Sequence, residues 1–296
     1  MKAYGPAKLT GYVRPPRGFS QQKYLELRDA GAREIADYTA ILVFADGRIG
    51  SGTFVNTGGV DGILTAHHVA AEIIKPGGVF RLVIAPYPHK MSVSVELFEH
   101  IVIGDSTGNQ RPALGPDLSF LKILDVRLLG AIKARKSFLH LDGKDFSFFG
   151  KHPKRRMTWF VAGSPYQLAQ PLGIHGRPPE PLTKLTNFVA DAVYCSITER
   201  GDFDFIKVKV TAGEHDFPSR YGGVSGGGIW MVPLSIGDPQ DLGSIRHEAP
   251  FLGGVLFYQS AIRDKKRMLT GHGPNSIYAR CTELVRQDSS RRGTLK

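Results

Sequence analysis

Apolar and polar positions along the chain alternate in short runs bounded by Gly, Pro, Asp and Asn, a pattern of strands joined by turns. Such runs fall at 39–45, 50–55, 79–84, 93–103 and 118–124, and again at 158–162, 188–197, 203–210, 228–232 and 251–258. Asp46-Gly47, Gly58-Gly59 and Asp61-Gly62 supply hairpin turns between the first of them. A helical period appears at 21–38, where Leu25, Leu27, Ala32, Ile35 and Ala36 form a partial stripe behind Ser20 as N-cap. This helix is expected on the outside of the main fold. Residues 69–74 are the one short helical stretch of the first half, and 276–287 read as a final strand or helix. The segment 125–156 is mixed and basic without a sustained period, and reads as a connection between two lobes. Regular short strands of this kind predict an all-β protein, barrel or sandwich.

Composition narrows this. With 296 residues, 42% hydrophobic and 22% charged, the chain is folded and large enough for two lobes. Gly 35 and Pro 19 fit a turn-rich β architecture. The net charge of +11 raises attraction to nucleic acid or anionic surfaces. The charge is scattered, with its densest clusters at 151–156, 263–267 and 291–292, and no aromatics are interleaved as a base-stacking platform requires. That argues for a basic soluble surface rather than a nucleic-acid site. The two cysteines, Cys195 and Cys281, are far apart, so no zinc site is expected, and their scarcity points to the cytoplasm. No secretory h-region opens the chain and no apolar run approaches a membrane span.

The chemistry centres on 221–228, Tyr-Gly-Gly-Val-Ser-Gly-Gly-Gly, where Ser225 sits among five glycines before an apolar run. Glycines allow a tight turn that presents a hydroxyl and aims neighbouring N–H groups at one spot. Alone, the stretch reads better as a glycine-rich loop entering a strand, with Ser225 an ordinary turn residue. A nucleophile needs a base, and His67-His68, at a strand end, is the best candidate. His89, His100, His140, His152, His175, His215, His247 and His272 read as structural or surface residues. Asp117 opens the apolar run 118–124, where its carboxylate would be partly buried beside an imidazole.

The order His, Asp, Ser is that of the chymotrypsin-type proteases. Leu64-Thr65-Ala66-His67-His68 resembles the family's Leu-Thr-Ala-x-His, Asp117-Leu118-Ser119-Phe120-Leu121 its Asp-Ile-Ala-Leu-Leu, and Gly223-Val224-Ser225-Gly226-Gly227 its Gly-Asp-Ser-Gly-Gly. The stretches 50–55 and 251–258 are similar to the strands before the histidine and after the nucleophile. The resemblance, over about 39–285, implies a chymotrypsin-like fold of two six-stranded antiparallel β-barrels with the active site in the cleft. It places an arm and helix at 1–38, the first barrel at 39–130, a connection at 131–156, the second barrel at 157–287 and a flexible tail at 288–296. It implies Ser225 as nucleophile, His68 rather than His67 as base, Asp117 as its orienter, and an oxyanion hole from Gly223 and Ser225 N–H. It puts the floor of the substrate pocket at Ser219, with Phe257, Tyr258 and Gln259 as wall and edge. Glu214 or Asp216 could supply an acid there. No metal or cofactor is expected.

Two departures from the family pattern carry meaning. Val69 stands where secreted members have a cysteine, and Val224 replaces the acid that pairs with a new N-terminus after zymogen cleavage. Control is then expected from a protein partner or an ordering loop. Three functions are open: a serine endopeptidase, by analogy with disulfide-free cytosolic members an effector in stress or antiphage defence; a catalytically silent scaffold that binds a peptide or protein; and a nucleic-acid binder driven by charge.

Overall fold

The computed structural model describes residues 21–75, 78–84, 90–105, 115–144, 157–172, 182–184, 187–214, 217–236 and 245–293. The chain is mostly β and has a chymotrypsin-like arrangement of two curled sheets. The first sheet runs in the order β5-β4-β1-β2-β3-β7-β6. Its strands are β1 Thr39–Val43, β2 Ile49–Thr57, β3 Val60–Thr65, β4 Val79–Val83, β5 Lys90–Ser94, β6 Phe98–Gly104 and β7 Leu118–Ile123. All these pairings are antiparallel, and only β8, Leu139–His140, joins β2 in parallel. The second sheet comprises β9 Met157–Gly163, β12 Phe188–Arg200, β13 Phe203–Thr211, β14 Gly228–Ile236, β15 Ile245–His247, β16 Phe251–Arg263 and β17 Lys266–His272. The short pair β10 Gln170–Leu172 and β11 Leu182–Lys184 stands apart. The second sheet closes on itself, because β14 pairs with both β16 and β9, giving a six-stranded ring with β15 appended. The first sheet differs from the six strands expected: it has seven in its path, with β8 to one side.

Three sequence expectations change. The run 93–103 is two strands on opposite edges of the sheet, parted by a 3-10 turn at Val95–Leu97. The alternation Val93, Val95, Leu97 slips phase at Phe98, and the chain turns there. Asp61-Gly62 lies inside β3, since a side chain at Gly62 would collide with the Phe120 ring. The segment called a connection holds helix α3, Val126–Lys133, capped by Asp125, whose carboxylate accepts the Leu128 N–H at 2.6 Å. Residues 145–156 of that connection, like the arm 1–20 and Asp216, lie outside the described residues.

Helix α1, Gln21–Tyr38, is part of the core rather than an outer layer. Tyr24, Leu27, Arg28, Gly31, Ala32 and Ile35 recur on one face and are buried. Ala32 and Ile35 join the cluster between the sheets with Phe160, Trp230 and Val232. Arg28 reaches through this face to Asp191 on β12 in a bidentate pair, their side chains 1% and 10% exposed. At the other end a π-helical turn, Asn275–Cys281, leads into α4, Thr282–Gly293. Ile277, Cys281 and Val285 complete the same cluster. Asp204 anchors this start by accepting the N–H groups of Asn275 and Ser276. The helix therefore continues through 288–293, where a flexible tail was expected. Both cysteines are free, Cys195 exposed and Cys281 buried. Among the described residues no helix is long and apolar enough to cross a membrane.

Breaking the buried pair leaves an uncompensated charge. Asp191→Asn is expected to cost about 3–5 kcal/mol in urea unfolding, while the double change Arg28→Met with Asp191→Leu recovers most of that loss. Equal destabilisation by both variants would show that the charges themselves are not what matters.

Candidate active site

The register of β3 with β7 assembles the first half of the site. Thr65 lies opposite Ser119, so the residues just after Thr65 meet those just before Ser119. His67 and His68 open α2, His67–Ile73, directly beside Asp117. Asp117 Oδ2 accepts His68 Nδ1–H at 2.6 Å, and Oδ1 accepts the His68 backbone N–H at 2.9 Å. With Nδ1 donating, the Nε2 atom of His68 is left as the basic nitrogen. The His68 side chain is 51% exposed while that of Asp117 is 12% exposed. Burial raises the Asp117 carboxyl, but the hydrogen bonds and charge of His68 outweigh it and hold the group below the ordinary carboxylate range. His67 points the other way. Its Nδ1 meets Ser119 Oγ at 2.9 Å, Ser119 Oγ meets His100 Nε2 at 2.9 Å, and the two imidazoles stack at 5.4 Å.

A residue that pattern reading assigned to structure completes this half. His272, fully buried at the end of β17, accepts the Asp117 backbone N–H on its Nε2 at 2.8 Å. Phe203, Phe205 and Phe257 box the imidazole. Burial drives its pKa down to about 3, so the ring is neutral with its proton on Nδ1, an atom without a partner among the described residues. The second sheet thus holds the acid of the first in place. Flanking glycines, Gly271 and Gly273, were the only trace of this position in the sequence.

Ser225 lies in tandem type II turns. Val224 N–H donates to Tyr221 O with Gly223 at φ +94°, and Gly227 N–H donates to Val224 O with Gly226 at φ +85°. Gly222 O accepts the Tyr166 N–H at 2.8 Å. In a trans peptide the N–H points opposite the carbonyl, so Gly223 N–H faces away from Tyr166. Among the described residues neither Gly223 N–H nor Ser225 N–H has a protein acceptor. The loop is braced by Ser51 on β2. Its N–H donates to Ser225 O at 2.9 Å, its hydroxyl donates to Gly223 O at 2.7 Å, and the Ser51 Oγ in turn accepts the Ser164 N–H at 2.9 Å. A side chain at Gly226 would collide with Ser51 O and Thr65 Oγ1, so the turn rests on the end of β3 that leads into His67-His68. Ser225 Oγ and His68 are not hydrogen-bonded to each other in this state.

A cavity of about 160 Å³ opens beside Ser225, lined by Tyr221, Val224, Leu256, Phe257, Tyr258, Gln259 and Leu269. Its lining is largely apolar and holds no carboxylate. Phe257 and Tyr258 form the wall, and Gln259 is tied by its Oε1 to Tyr221 N–H and Arg267 Nη1. Ser219 does not line it: its hydroxyl pairs with Gln167 instead. Glu214 is turned to Lys265 Nζ at 2.7 Å. Among the described residues no group of His, Cys, Asp or Glu is arranged to hold a metal.

No protein-family model matches the chain, and no curated protein sequence does. Solved structures with a similar fold include serine proteases and a scabies mite inactivated protease paralogue. The HtrA-type protease AlgW with tripeptide is 15% identical at a TM-score of 0.39, and the match covers 82% of this chain and 59% of that one. The thermostable serine protease AL20 from an extremophilic microorganism is 12% identical at 0.42, covering 86% and 99%. Deg5 is 15% identical at 0.39, covering 81% and 87%. The match thus spans less than two thirds of the HtrA-type chain. At such identities the chemistry has to be read from this chain's own residues.

The buried imidazole has a pH signature. Unfolded, His272 takes up a proton below its ordinary pKa of 6.5; folded, it does so only near 3, so its contribution to stability is present above 6.5 and is lost as pH falls from 6.5 toward 3. Calorimetry is expected to show a steeper fall in Tm for the wild type than for His272→Gln across that window. Parallel curves would mean that the imidazole is protonated in the fold.

Proposed function

We propose that the chain is a serine endopeptidase. Its main support is that a serine flanked by two unengaged backbone N–H groups rests against the strand end that carries a carboxylate-oriented histidine. In this reading Ser225 Oγ attacks the scissile carbonyl carbon and its proton passes to His68 Nε2. Asp117 holds the tautomer and stabilises the imidazolium. Gly223 and Ser225 N–H receive the oxyanion, each donor worth about 3 kcal/mol in such sites. The tetrahedral adduct collapses as the C–N bond breaks. The amine takes the proton from His68, leaving an acyl ester on Ser225, and water activated by His68 then hydrolyses it. The Ser225–His68 hydrogen bond would close as substrate enters, as such contacts commonly do.

The substrate is a peptide laid along β16 beside Phe257, Tyr258 and Gln259, with a small or medium apolar side chain in the cavity. Val224 is buried and cannot form the ion pair of a cleaved zymogen. Regulation then falls to a protein partner, and a cytoplasmic role in stress or antiphage defence rests on the resemblance to disulfide-free members alone. A catalytically silent peptide-binding scaffold is the second reading, favoured by the open contact between Ser225 and His68.

A fluorophosphonate probe separates the two. Labelling of the wild type and none of Ser225→Ala is expected, and His68→Ala should cut turnover on the order of 10⁶-fold, with the double variant little worse. Failure of the wild type to label, alone or with cell extract added, would leave the scaffold reading.

A further inference from the structure

Beyond Val255, β16 leaves β14. From Phe257 to Arg263 it has β17 on one side and, among the described residues, no strand on the other. This open edge starts at the Ser225 cavity and ends at the tight hairpin Asp264-Lys265, where both residues have positive φ. At that end a second concavity of about 260 Å³ is lined by Lys209, Arg263, Lys266 and Arg267, with Asp264 the one carboxylate. Among the described residues none of the four cations is paired with an acid. Lys266 Nζ meets only the Thr211 hydroxyl. Arg267 is the informative member. It is partly buried, its Nη1 donates to Gln259 Oε1 at 2.6 Å, and its Nε–H is shut off from solvent with no acceptor. Burial is the main influence against that guanidinium, Tyr221 partly offsets it and the nearby charge of Arg220 adds to it, while no described carboxylate pairs with the group. Through Gln259 this cation is bonded to the wall of the cavity beside Ser225. A guanidinium with no carboxylate partner, in a hollow with three further cations that no described acid pairs, is chemistry suited to a carboxylate.

We propose that the hollow at Lys209, Arg263, Lys266 and Arg267 is a subsite for acidic side chains of the bound peptide, on the N-terminal side of the residue held beside Ser225. The side follows from pairing. Every other pairing in this sheet is antiparallel, and a peptide added antiparallel to β16 runs its N-terminal residues toward Arg263. The proposal rests on β16 as the peptide-binding edge, and its selection for acids is independent of whether the bond is cut. The +11 net charge then works partly as a local selector, raising the capture rate of acidic segments.

The test uses Ser225→Ala protein and fluorescein-labelled hexapeptides, three glutamates followed by Ala-Ala-Leu, against the same peptide with glutamines and with the glutamates moved to the C-terminal side. Anisotropy is expected to give about 10-fold tighter binding of the N-terminal glutamate probe. The preference should shrink when salt rises from about 0.02 M to about 0.5 M, where the Debye length falls from about 20 Å to about 4 Å. It should be lost in Arg267→Gln and reduced in the surface double variant Lys209→Gln with Lys266→Gln. No binding of that probe, equal binding of the glutamine probe, a preference for C-terminal glutamates, or a preference that survives all substitutions overturns the proposal. So does tighter binding of a single-stranded oligonucleotide that displaces the peptide from the same residues. Fluorophosphonate labelling of the wild type without acid selectivity leaves the protease reading and removes the subsite. Acid selectivity without labelling does the reverse.

Discussion

One buried hydroxyl sets the geometry on which the candidate site depends. Ser51 uses every hydrogen-bonding group it has at the seam of the two sheets: N–H to Ser225, hydroxyl to Gly223 and from Ser164, carbonyl from Thr65. The tandem turns around Ser225 bury two apolar side chains of their own, Tyr221 and Val224, and most of their other residues are glycines. Their shape is imposed by this seam and by the paired bonds that Gly226 and Gly227 make with Leu256. The same residue touches the strand end that carries His68. The two halves of the site are therefore held by one set of backbone bonds rather than by two barrels packing at arm's length.

A second constraint crosses the seam from the other direction. His272 belongs to the second sheet, yet it fixes the backbone of Asp117 in the first. Asp117 in turn orders His68 by two bonds. Each sheet thus supplies a part that the other must position. Separation of the sheets by a fraction of an ångström would misplace the turn and the acid together.

Much of this was legible from sequence because strand register carries it. The motifs around His68 and Asp117 lie at the ends of neighbouring strands, and alternation alone was enough to find those strands. The choice of His68 over His67 came from motif position and agrees with the side that bonds Asp117. Long-range polar partners left no such mark: nothing local to His272, Ser51 or Arg28 announces a contact made with a residue more than a hundred positions away. Strand β17 was hidden because its first residues, Lys266 and Arg267, read as a surface charge cluster. Helix α3 was hidden because its eight residues are too short for a clear period. Ser219 stands outside the lining of the cavity beside Ser225, with its hydroxyl on Gln167, a contact that counting residues back from Ser225 cannot foresee.

The core position of α1 has a consequence for how the molecule is made. Its partner Asp191 lies 163 residues later in the chain. At synthesis rates of about 5–20 residues per second, the helix emerges about 10–30 s before that partner does. During that interval Arg28 has no Asp191 to pair with, Ala32 and Ile35 can meet only the first-sheet members of their cluster such as Val55 and Leu64, and a lone helix of this length is marginal in water. The helix is thus fully buried only once the second sheet has been made, long after its own residues have left the ribosome.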